Sequence, residues 1–324
     1  MSGSQKEIIF YLDGKNFKQS PSGFVPFDET MINRGCSIFD AIQIYNGRFI
    51  DIDSHLERTY NNTKIFGASL KKTFSKKEFK NKLEDLTPVI LKYFGNNILL
   101  KMEIIASKQS NVFLRVVPIL NKWLDKKPSL VLIAIQYKYL LQNLKYCGRY
   151  AEPIILAELA KHQIDPEIEE CLFYSKVKIE TSMRNMALEA TNSAFFVIDT
   201  QNRLWGATPP NVLPSTSYKI IEKIAKQDMH DSSIPDKNRI SKIMKTGFPI
   251  NTPGYQIKEM FSAGAVRSLV PIKKLIFVNV RSDKSKIIIE RNSEISDIIV
   301  NEAPIVNRLR DRFQNEIKHF KYQG

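Results

Sequence analysis

The segment Gly35–Arg58 has the sequence GCSIFDAIQIYNGRFIDIDSHLER, which carries a clear succession of local signals. Within it, Ser37–Tyr45 is rich in apolar residues and alternates well enough to predict a strand. The dipeptide Asn46-Gly47 favours a two-residue hairpin turn, because both residues tolerate positive φ angles. The chain is therefore expected to return antiparallel through Arg48–Ile52.

A helix is expected directly after this hairpin. Asp53 or Ser54 has the short polar side chain of an N-cap, and the helix would begin at His55. The segment therefore predicts a strand, a tight turn and a helix, and it ends in an H-x-x-R string whose arginine is Arg58. Taken alone, an arginine in such a string is more often a solvated surface residue.

The rest of the first half has the pattern of an α+β domain. Glu7–Leu12 predicts a short strand, and a lysine-rich amphipathic helix is expected to end near Gly95. Three apolar runs then predict further strands of one antiparallel sheet: Ile98–Ala106, Val112–Leu120 and Ser129–Tyr137.

After these apolar runs a polar connector leads into a predicted helix, and this change predicts a second domain. A small domain is expected over 1–137, a connector over 138–144 and a larger domain over 145–324. The first helix of the larger domain is expected over Glu152–His162, with an apolar face formed by Ile154, Ile155, Leu159 and Ala160. The later elements are expected at Cys171–Tyr174, Ala194–Asp199, Ser217–Gln227, Ser268–Ile272, Lys274–Val280 and Ile305–Phe320.

The composition is that of a globular protein with an excess of positive charge. Of the 324 residues, 43% are hydrophobic and 25% are charged, and the formal net charge is +14. No zinc-finger, helix-turn-helix or RNP pattern accompanies the lysines, which argues against a nucleic-acid partner. No run approaches the roughly 18 apolar residues of a membrane span, and no signal peptide is evident, so a cytoplasmic protein is expected. The three cysteines form no C-x-x-C pair, which argues against a disulfide framework or a metal site.

Lys145 has suggestive surroundings near the expected connector. It is followed by Gly148 and Tyr150 and stands just before a predicted helix. A lysine that forms a Schiff base needs a deprotonated amine, which partial burial or a neighbouring positive charge promotes. Without further signals, a connector lysine is normally solvated.

Four segments of the chain, in order, resemble the class IV (fold-type IV) pyridoxal 5′-phosphate (PLP) dependent aminotransferases. This family holds the branched-chain aminotransferases, the D-amino-acid aminotransferases and the aminodeoxychorismate lyases. The first segment is Gly35–Arg58, which resembles the family's strand–turn–helix ending in H-x-x-R. The resemblance implies that Arg58 grips the cofactor phosphate, and a planar guanidinium suits that role because it pairs bidentately with phosphate.

The second and third segments carry the residues implied to touch the cofactor ring. Lys145-x-x-Gly148-x-Tyr150 resembles the Schiff-base lysine segment, which implies that Lys145 holds the cofactor and that Tyr150 hydrogen-bonds its 3′-oxygen. Ala187–Phe196 resembles the family's E-x-x-x-x-N-[apolar]-F pattern. This likeness implies that Glu189 pairs with the protonated pyridine nitrogen.

The fourth resemblance concerns the cofactor phosphate. Leu213–Ser217 resembles the family's L-P-G-x-T-R helix start, and Lys258–Ala265 resembles its D-E-V-F-x-x-[small] segment. A helix N-terminus with small hydroxyl residues is a ready anion site. The implied phosphate contacts are Thr216, Ser217, Gly264 and Ala265.

The resemblance also implies residues that face the substrate, and the chain departs from the family pattern at several places. Arg34, Phe39 and Lys101 are the implied substrate residues, although a surface or sheet role is also open for the two cations. Ser215 and Tyr218 replace the usual Gly and Arg, Ala265 replaces a common hydroxyl residue, Lys176–Arg184 resembles an insertion, and Arg149 is a feature of the lyase branch.

The resemblance implies an α+β, two-domain, D-amino-acid-aminotransferase-like PLP fold. It consists of a small N-terminal α/β sandwich and a larger C-terminal β-barrel-like domain with helices. The implied function is transfer of an amino group between an amino acid and a 2-keto acid through a Lys145 Schiff base, in a homodimer that uses neither nucleic acid nor membrane. Two alternatives stay open: β-elimination that releases pyruvate, as in aminodeoxychorismate lyase, and a non-catalytic relative that acts in binding.

Overall fold

The computed structural model describes residues 7–13, 15–20, 35, 37–66, 70, 74–96, 98–107, 112–119, 130–137, 144–179, 182–265, 268–283 and 286–319. The helices among them are α1 (Ile52–Phe66), α2 (Lys76–Glu84), α3 (Thr87–Phe94), α4 (Ala151–Gln163), α5 (Thr216–His230) and α6 (Pro304–Lys318). None of these described helices is long and apolar enough to cross a membrane.

The described residues also form strands β1 to β17. The first ten are β1 (Ile8–Asp13), β2 (Asn16–Gln19), β3 (Ser37–Tyr45), β4 (Arg48–Phe49), β5 (Leu99–Ser107), β6 (Val112–Pro118), β7 (Leu130–Gln136), β8 (Ile168–Ile179), β9 (Ser182–Ala190) and β10 (Ala194–Asp199). The others are β11 (Arg203–Gly206), β12 (Lys242–Met244), β13 (Phe248–Pro249), β14 (Ile257–Gly264), β15 (Ser268–Asp283), β16 (Lys286–Arg291) and β17 (Ile298–Ile299).

The chain divides into two compact units. The first contains Met1–Asn121, Leu144–Arg149 and Ile317–Gly324, and the second contains Lys122–Asn143 and Tyr150–Glu316. The packing therefore assigns β7 to the second unit and the segment around Lys145 to the first, whereas the sequence suggests a single boundary at 138–144. The domain ranges 1–137 and 145–324 stay a prediction.

Among the described residues, the first unit contains a six-stranded antiparallel sheet and the helices α1, α2 and α3. The strand order is β2-β1-β6-β5-β3-β4. One face of this sheet shares a continuous apolar core with α1, α2 and α3, to which Ile42, Met102 and Leu114 contribute from the strands and Leu56 and Phe79 from the helices. The sheet therefore has one face covered by helices.

The hairpin predicted from Asn46-Gly47 is confirmed, but the helix after it begins earlier than expected. Asn46 and Gly47 adopt φ angles of 49° and 72°, as a two-residue turn between twisted strands requires. The helix α1 begins at Ile52 rather than after an N-cap at Asp53 or Ser54. Asp51 already turns the chain with a φ angle of 49°, so Asp53 lies inside the first helical turn.

The lysine-rich region forms two described helices before Gly95 rather than one. Ser75 and Glu78 form a reciprocal capping box at the start of α2, which satisfies two backbone N–H groups. A proline in the first turn of α3 lacks an N–H and favours a new helix start. The expected end near Gly95 is confirmed, since Gly95 donates to the Leu91 carbonyl as the C-cap of α3.

The second unit contains a closed β-barrel. Six strands form a ring in the order β10-β14-β15-β7-β8-β9, and pairing of Ala194 with Glu189 joins β9 to β10. The strand β7 belongs to this barrel and runs parallel to β8 and β15, which corrects the expectation that it extends the first antiparallel sheet. Leu132 of β7 faces the barrel core while Ile133 packs on the α4 side. A strand buried on both faces has a continuous apolar run, and such a run does not reveal its partner strands.

Two further expectations for this unit need correction. The apolar stretch from Ser268 to Val280 forms one strand, β15, rather than two. In α4 the buried residues are Pro153, Leu156, Ala157 and Ala160, whereas Ile154 and Ile155 are 48% and 54% exposed. The face of α4 that packs on the barrel is therefore rotated from the one predicted. It carries Leu156 and the small residues Ala157 and Ala160 instead of the two isoleucines.

The corrected face of α4 yields a stability prediction. Leu156→Ala is expected to lower the free energy of unfolding by about 2–5 kcal/mol, because it removes a buried side chain and leaves a cavity. Ile155→Ala is the matched control and should cost less than about 1 kcal/mol, because it truncates an exposed side chain of equal size. Urea unfolding followed by circular dichroism measures both, and equal costs would contradict the assigned face.

Candidate functional site

The backbone around Lys145 extends the sheet of the first unit. Phe39 at the start of β3 donates its backbone N–H to the Lys145 carbonyl over 3.3 Å, and Gly148 donates to the Gly35 carbonyl over 3.2 Å. These bonds hold the segment antiparallel to β3, so that Lys145 lies opposite Phe39. A lysine on a polar connector is thus fixed as part of a sheet.

The side chains of Lys145 and Phe39 are in contact. The Lys145 Nζ atom lies 4.7 Å from the centre of the Phe39 ring, and both residues are half-buried. The structure therefore brings together the candidate Schiff-base lysine and one candidate substrate residue. Cys147 follows on the same side, where its Sγ accepts a hydrogen bond from the Ser37 hydroxyl over 3.0 Å. Burial raises the pKa of the Cys147 thiol, so it is a poor nucleophile at neutral pH.

Lys101 lies on the same face of the sheet but is already paired. Cross-strand pairing sets Phe39 against Ile105 and Gln43 against Lys101, so these side chains share one face of the pleated sheet. The Lys101 Nζ atom lies 2.6 Å from Glu103 Oε1, and Arg115 also donates to Glu103 over 3.3 Å. The sequence analysis missed Glu103, although its spacing of two from Lys101 puts both on one side of β5. A substrate role for Lys101 stays a prediction, and Arg34 lies outside the described residues.

Arg58 lies on the opposite, helix-covered side of the same sheet, where it pairs with Asp40. The Arg58 Nε and Nη2 atoms donate to the two Asp40 carboxylate oxygens over 2.8 and 2.6 Å. His55 Nδ1 lies 2.7 Å from Oδ1 of the same carboxylate, the Ala41 N–H donates to it over 2.8 Å, and Thr59 Oγ1 donates over 3.4 Å. The Arg58 and Asp40 side chains are only 9% and 1% exposed.

This cluster has a definite charge state. Burial alone would raise the pKa of Asp40, but the Arg58 guanidinium and the His55 ring together hold that pKa well below its usual range. Burial lowers the pKa of His55, so the ring is neutral at neutral pH. Because a carboxylate can only accept, the proton of the neutral ring lies on Nδ1. The sequence indicated Arg58, but Asp40 carries no sequence signal of its own.

In the second unit, a register shift directs the Glu189 side chain. Tyr174 pairs with Ala187 and Leu172 pairs with Ala190, so β9 carries one residue more than β8 between these pairs. Both alanines face the barrel core, which leaves the Glu189 side chain to the other side of the strand. Glu189 is 9% exposed, and its Oε2 accepts the Leu213 N–H over 3.3 Å.

The residues predicted to hold a phosphate lie at the start of α5 and at the end of β14. Thr216 and Ser217 form the first turn of α5 and are 7% and 4% exposed, while the preceding Ser215 accepts the Tyr218 N–H as N-cap. A Cβ atom at Gly264 would lie 3.1 Å from the carbonyl oxygen of Asn192. The close approach of Gly264 to the turn after β9 therefore favours a residue without a side chain.

Several of these residues are linked through two loops. Glu189 bonds to the loop that leads to Thr216, and the turn that follows Glu189 touches Gly264, after which comes the half-buried Ala265. The buried Glu170 accepts the Asn192 N–H and so holds this turn, a role that the sequence analysis missed. Tyr150 is buried and directly precedes α4, where it serves as N-cap residue.

Two departures from the family pattern have structural roles. Tyr218, in place of an arginine, is buried and stacks on the Phe196 ring with centroids 5.4 Å apart. Arg149 is 3% exposed, and its Nη1 donates to the Leu144 carbonyl over 3.4 Å. Arg149 therefore stabilises the loop that carries Lys145. Residues 176–179 pair with residues 182–185 in the β8–β9 ladder. An insertion in this region stays a prediction.

Comparisons with known proteins rest on three-dimensional structure. No protein-family model and no curated protein sequence matches the chain. A hypothetical aminotransferase from Mycobacterium tuberculosis, in its PLP-bound form, matches with a TM-score of 0.70 at 12% identity over 98% of this chain and 100% of its own. Its α-ketoglutarate- and PMP-bound form matches with a TM-score of 0.71 at 12% identity over 97% and 100%. The fold IV transaminase CpuTA1 from Curtobacterium pusillum matches with a TM-score of 0.65 at 12% identity over 83% and 92%.

These likenesses confirm the fold class expected from the sequence. The first unit is a sheet covered by helices, and the second is a closed six-stranded barrel with helices. At 12% identity the likeness extends to the fold. This chain therefore has the fold of the fold-type IV transaminases.

Proposed function

We propose that this protein is a PLP-dependent enzyme that transfers an amino group between an amino acid and a 2-keto acid, with Lys145 as the catalytic amine. The observation that carries the proposal is the half-buried Lys145, held by backbone pairing beside the Phe39 ring. Support also comes from the shared fold, because the M. tuberculosis aminotransferase has been solved with PLP and with PMP and α-ketoglutarate.

The chemistry of the side chains fits pyridoxal phosphate. The cofactor carries an aldehyde, a pyridine nitrogen and a phosphate, and it needs an amine, a carboxylate and anion-binding groups in return. Lys145 offers the amine, and the buried Glu189 offers the carboxylate. Thr216 and Ser217 open a helix of 15 residues, whose N-terminal N–H groups favour an anion. We assign the phosphate to these two residues, with Arg58 as the cationic contact.

Each residue then has a distinct task. The bound cofactor supplies an electron sink that lets a proton leave the α-carbon of the substrate. Lys145 Nζ accepts that proton and later returns it, and the Phe39 ring limits where the amine can move. The Glu189 carboxylate keeps a proton on the pyridine nitrogen. Gly264 and Ala265 offer only backbone N–H groups to the phosphate, since neither has a hydroxyl.

The substrate side and the assembly are also part of the proposal. We assign Phe39, Lys101 and Arg34 to substrate binding and Tyr150 to the cofactor's 3′-oxygen. We expect a cytoplasmic homodimer, for which the support is the family resemblance and which sedimentation equilibrium tests. Arg149, the feature that favours a lyase, donates to the Leu144 carbonyl of its own loop. β-Elimination with release of pyruvate stays the alternative to amino transfer.

The first prediction from the proposed function concerns attachment of the cofactor. Addition of PLP to the purified protein is expected to produce a new visible absorption band, because the Lys145 amine condenses with the aldehyde. Lys145→Ala should abolish this band. Lys258→Ala is the control, since Lys258 is another half-buried lysine, which donates to Asn202 over 2.8 Å. Loss of the band in both variants, or in neither, would count against Lys145.

The second prediction concerns Glu189. Glu189→Gln keeps the shape of the side chain but removes the negative charge that keeps the ring nitrogen protonated. The variant should still bind PLP, and the single-turnover rate of amino transfer should fall by about 100-fold or more, because the ring loses much of its electron demand. Stopped-flow absorbance with an amino-acid panel measures the rate. An unchanged rate would contradict the role of Glu189.

A further inference from the structure

We propose that Asp40 is a positioning residue for the cofactor phosphate: it fixes the orientation of the Arg58 guanidinium through a side-on pair. The inference rests on the proposed function and deepens it, because it assigns a role to a residue that does not itself touch the cofactor. The starting observation is the pair of bonds from Arg58 Nε and Nη2 to the two oxygens of Asp40.

The side-on geometry determines where the guanidinium points. A guanidinium is planar, and its five N–H groups lie along three edges. Asp40 takes the edge formed by Nε and Nη2, so the edge formed by Nη1 and Nη2 is directed away from the carboxylate. That second edge has the spacing that pairs with two oxygens of a phosphate. One carboxylate therefore sets the direction in which Arg58 can bind an anion.

The Asp40 carboxylate is itself held from several directions. Its backbone lies in the centre of β3, between β5 and the segment around Lys145. The neutral His55 ring, the Ala41 N–H and the Thr59 hydroxyl all donate to it. A carboxylate with this many donors cannot rotate without losing hydrogen bonds in a buried place. The Arg58 guanidinium is thereby held in place by a residue of β3, and its orientation does not depend on its own flexible side chain alone.

The charges show why orientation matters more than net charge. Asp40 is ionised, Arg58 is positive and His55 is neutral, so the cluster carries no net charge. Attraction of a phosphate by net charge would be stronger without Asp40. If Asp40 nevertheless strengthens phosphate binding, it must do so by placing donors. The sign of the effect of neutralising Asp40 therefore separates a positioning role from a purely electrostatic one.

The test compares PLP with 5′-deoxypyridoxal, which has the same ring and aldehyde but no phosphate. Dissociation constants are obtained by absorbance titration of the wild type and of Asp40→Asn. Asp40→Asn is expected to weaken PLP binding about 10- to 100-fold, the value of a charge-assisted bidentate pair, and to leave 5′-deoxypyridoxal binding unchanged. Tighter PLP binding, or equal weakening for both compounds, would overturn the proposal.

Two further variants isolate the route of the effect. In an Arg58→Lys background, Asp40→Asn should not change the ratio of the two dissociation constants further, because Asp40 acts through Arg58. Asp228→Asn is the matched control, since Asp228 is a fully buried carboxylate of the second unit paired side-on with Arg308 over 2.9 and 3.0 Å. It should lower stability and leave the ratio unchanged, and a changed ratio would show that the effect is not specific to Asp40.

The remaining outcomes are also decisive. Should Asp40→Asn fail to fold, Asp40→Glu keeps the ion pair and moves the carboxylate by one methylene group. The ratio should then shift in the same direction as expected for Asp40→Asn, and a wild-type ratio would overturn the proposal. A wild type that binds neither compound contradicts the proposed function itself. A wild type that binds both compounds equally contradicts the phosphate-binding roles, those of Arg58 and Asp40 included, and leaves the role of Lys145 standing.

Discussion

The backbone pairing between the start of β3 and the segment around Lys145 is the constraint on which the candidate site of the first unit depends. Two hydrogen bonds convert a connector into a strand-like element and hold the Lys145 amine against the Phe39 ring. The next residue of β3, Asp40, faces the other side of the sheet and binds Arg58. One strand thus positions a candidate nucleophile on one face and a candidate anion ligand on the other, because side chains alternate along a strand.

In the second unit, one irregular strand positions the candidate carboxylate, Glu189. One additional residue in β9 turns the Glu189 side chain away from the barrel core, and the buried Glu170 holds the turn that follows. The same turn contacts Gly264, and Glu189 accepts a hydrogen bond from the loop before α5. Irregular strand geometry at a functional position is common, since a bulge redirects a side chain without changing the rest of the sheet.

The sequence predicted what local chemistry determines and failed where tertiary packing decides. The bounds of β3 and the turn at Asn46-Gly47 were predictable, because alternation and turn residues act within a few positions. The partners of β7 were not, because an apolar run fits any buried strand. The same limit applies to the site. Lys145 and Arg58 stand in recognisable motifs, but the pairing of Arg58 with Asp40 depends on the packing of a helix on a sheet.

The central claim is that Lys145 is the amine that binds the cofactor. The most direct measurement is reduction of the PLP-treated protein with borohydride, followed by proteolysis and mass spectrometry of the peptides. Reduction makes the bond between an amine and the PLP aldehyde permanent, so the modified lysine can be identified. The account predicts that the label is found on Lys145. A label on another lysine, or one spread over surface lysines with Lys145 unmodified, would contradict it.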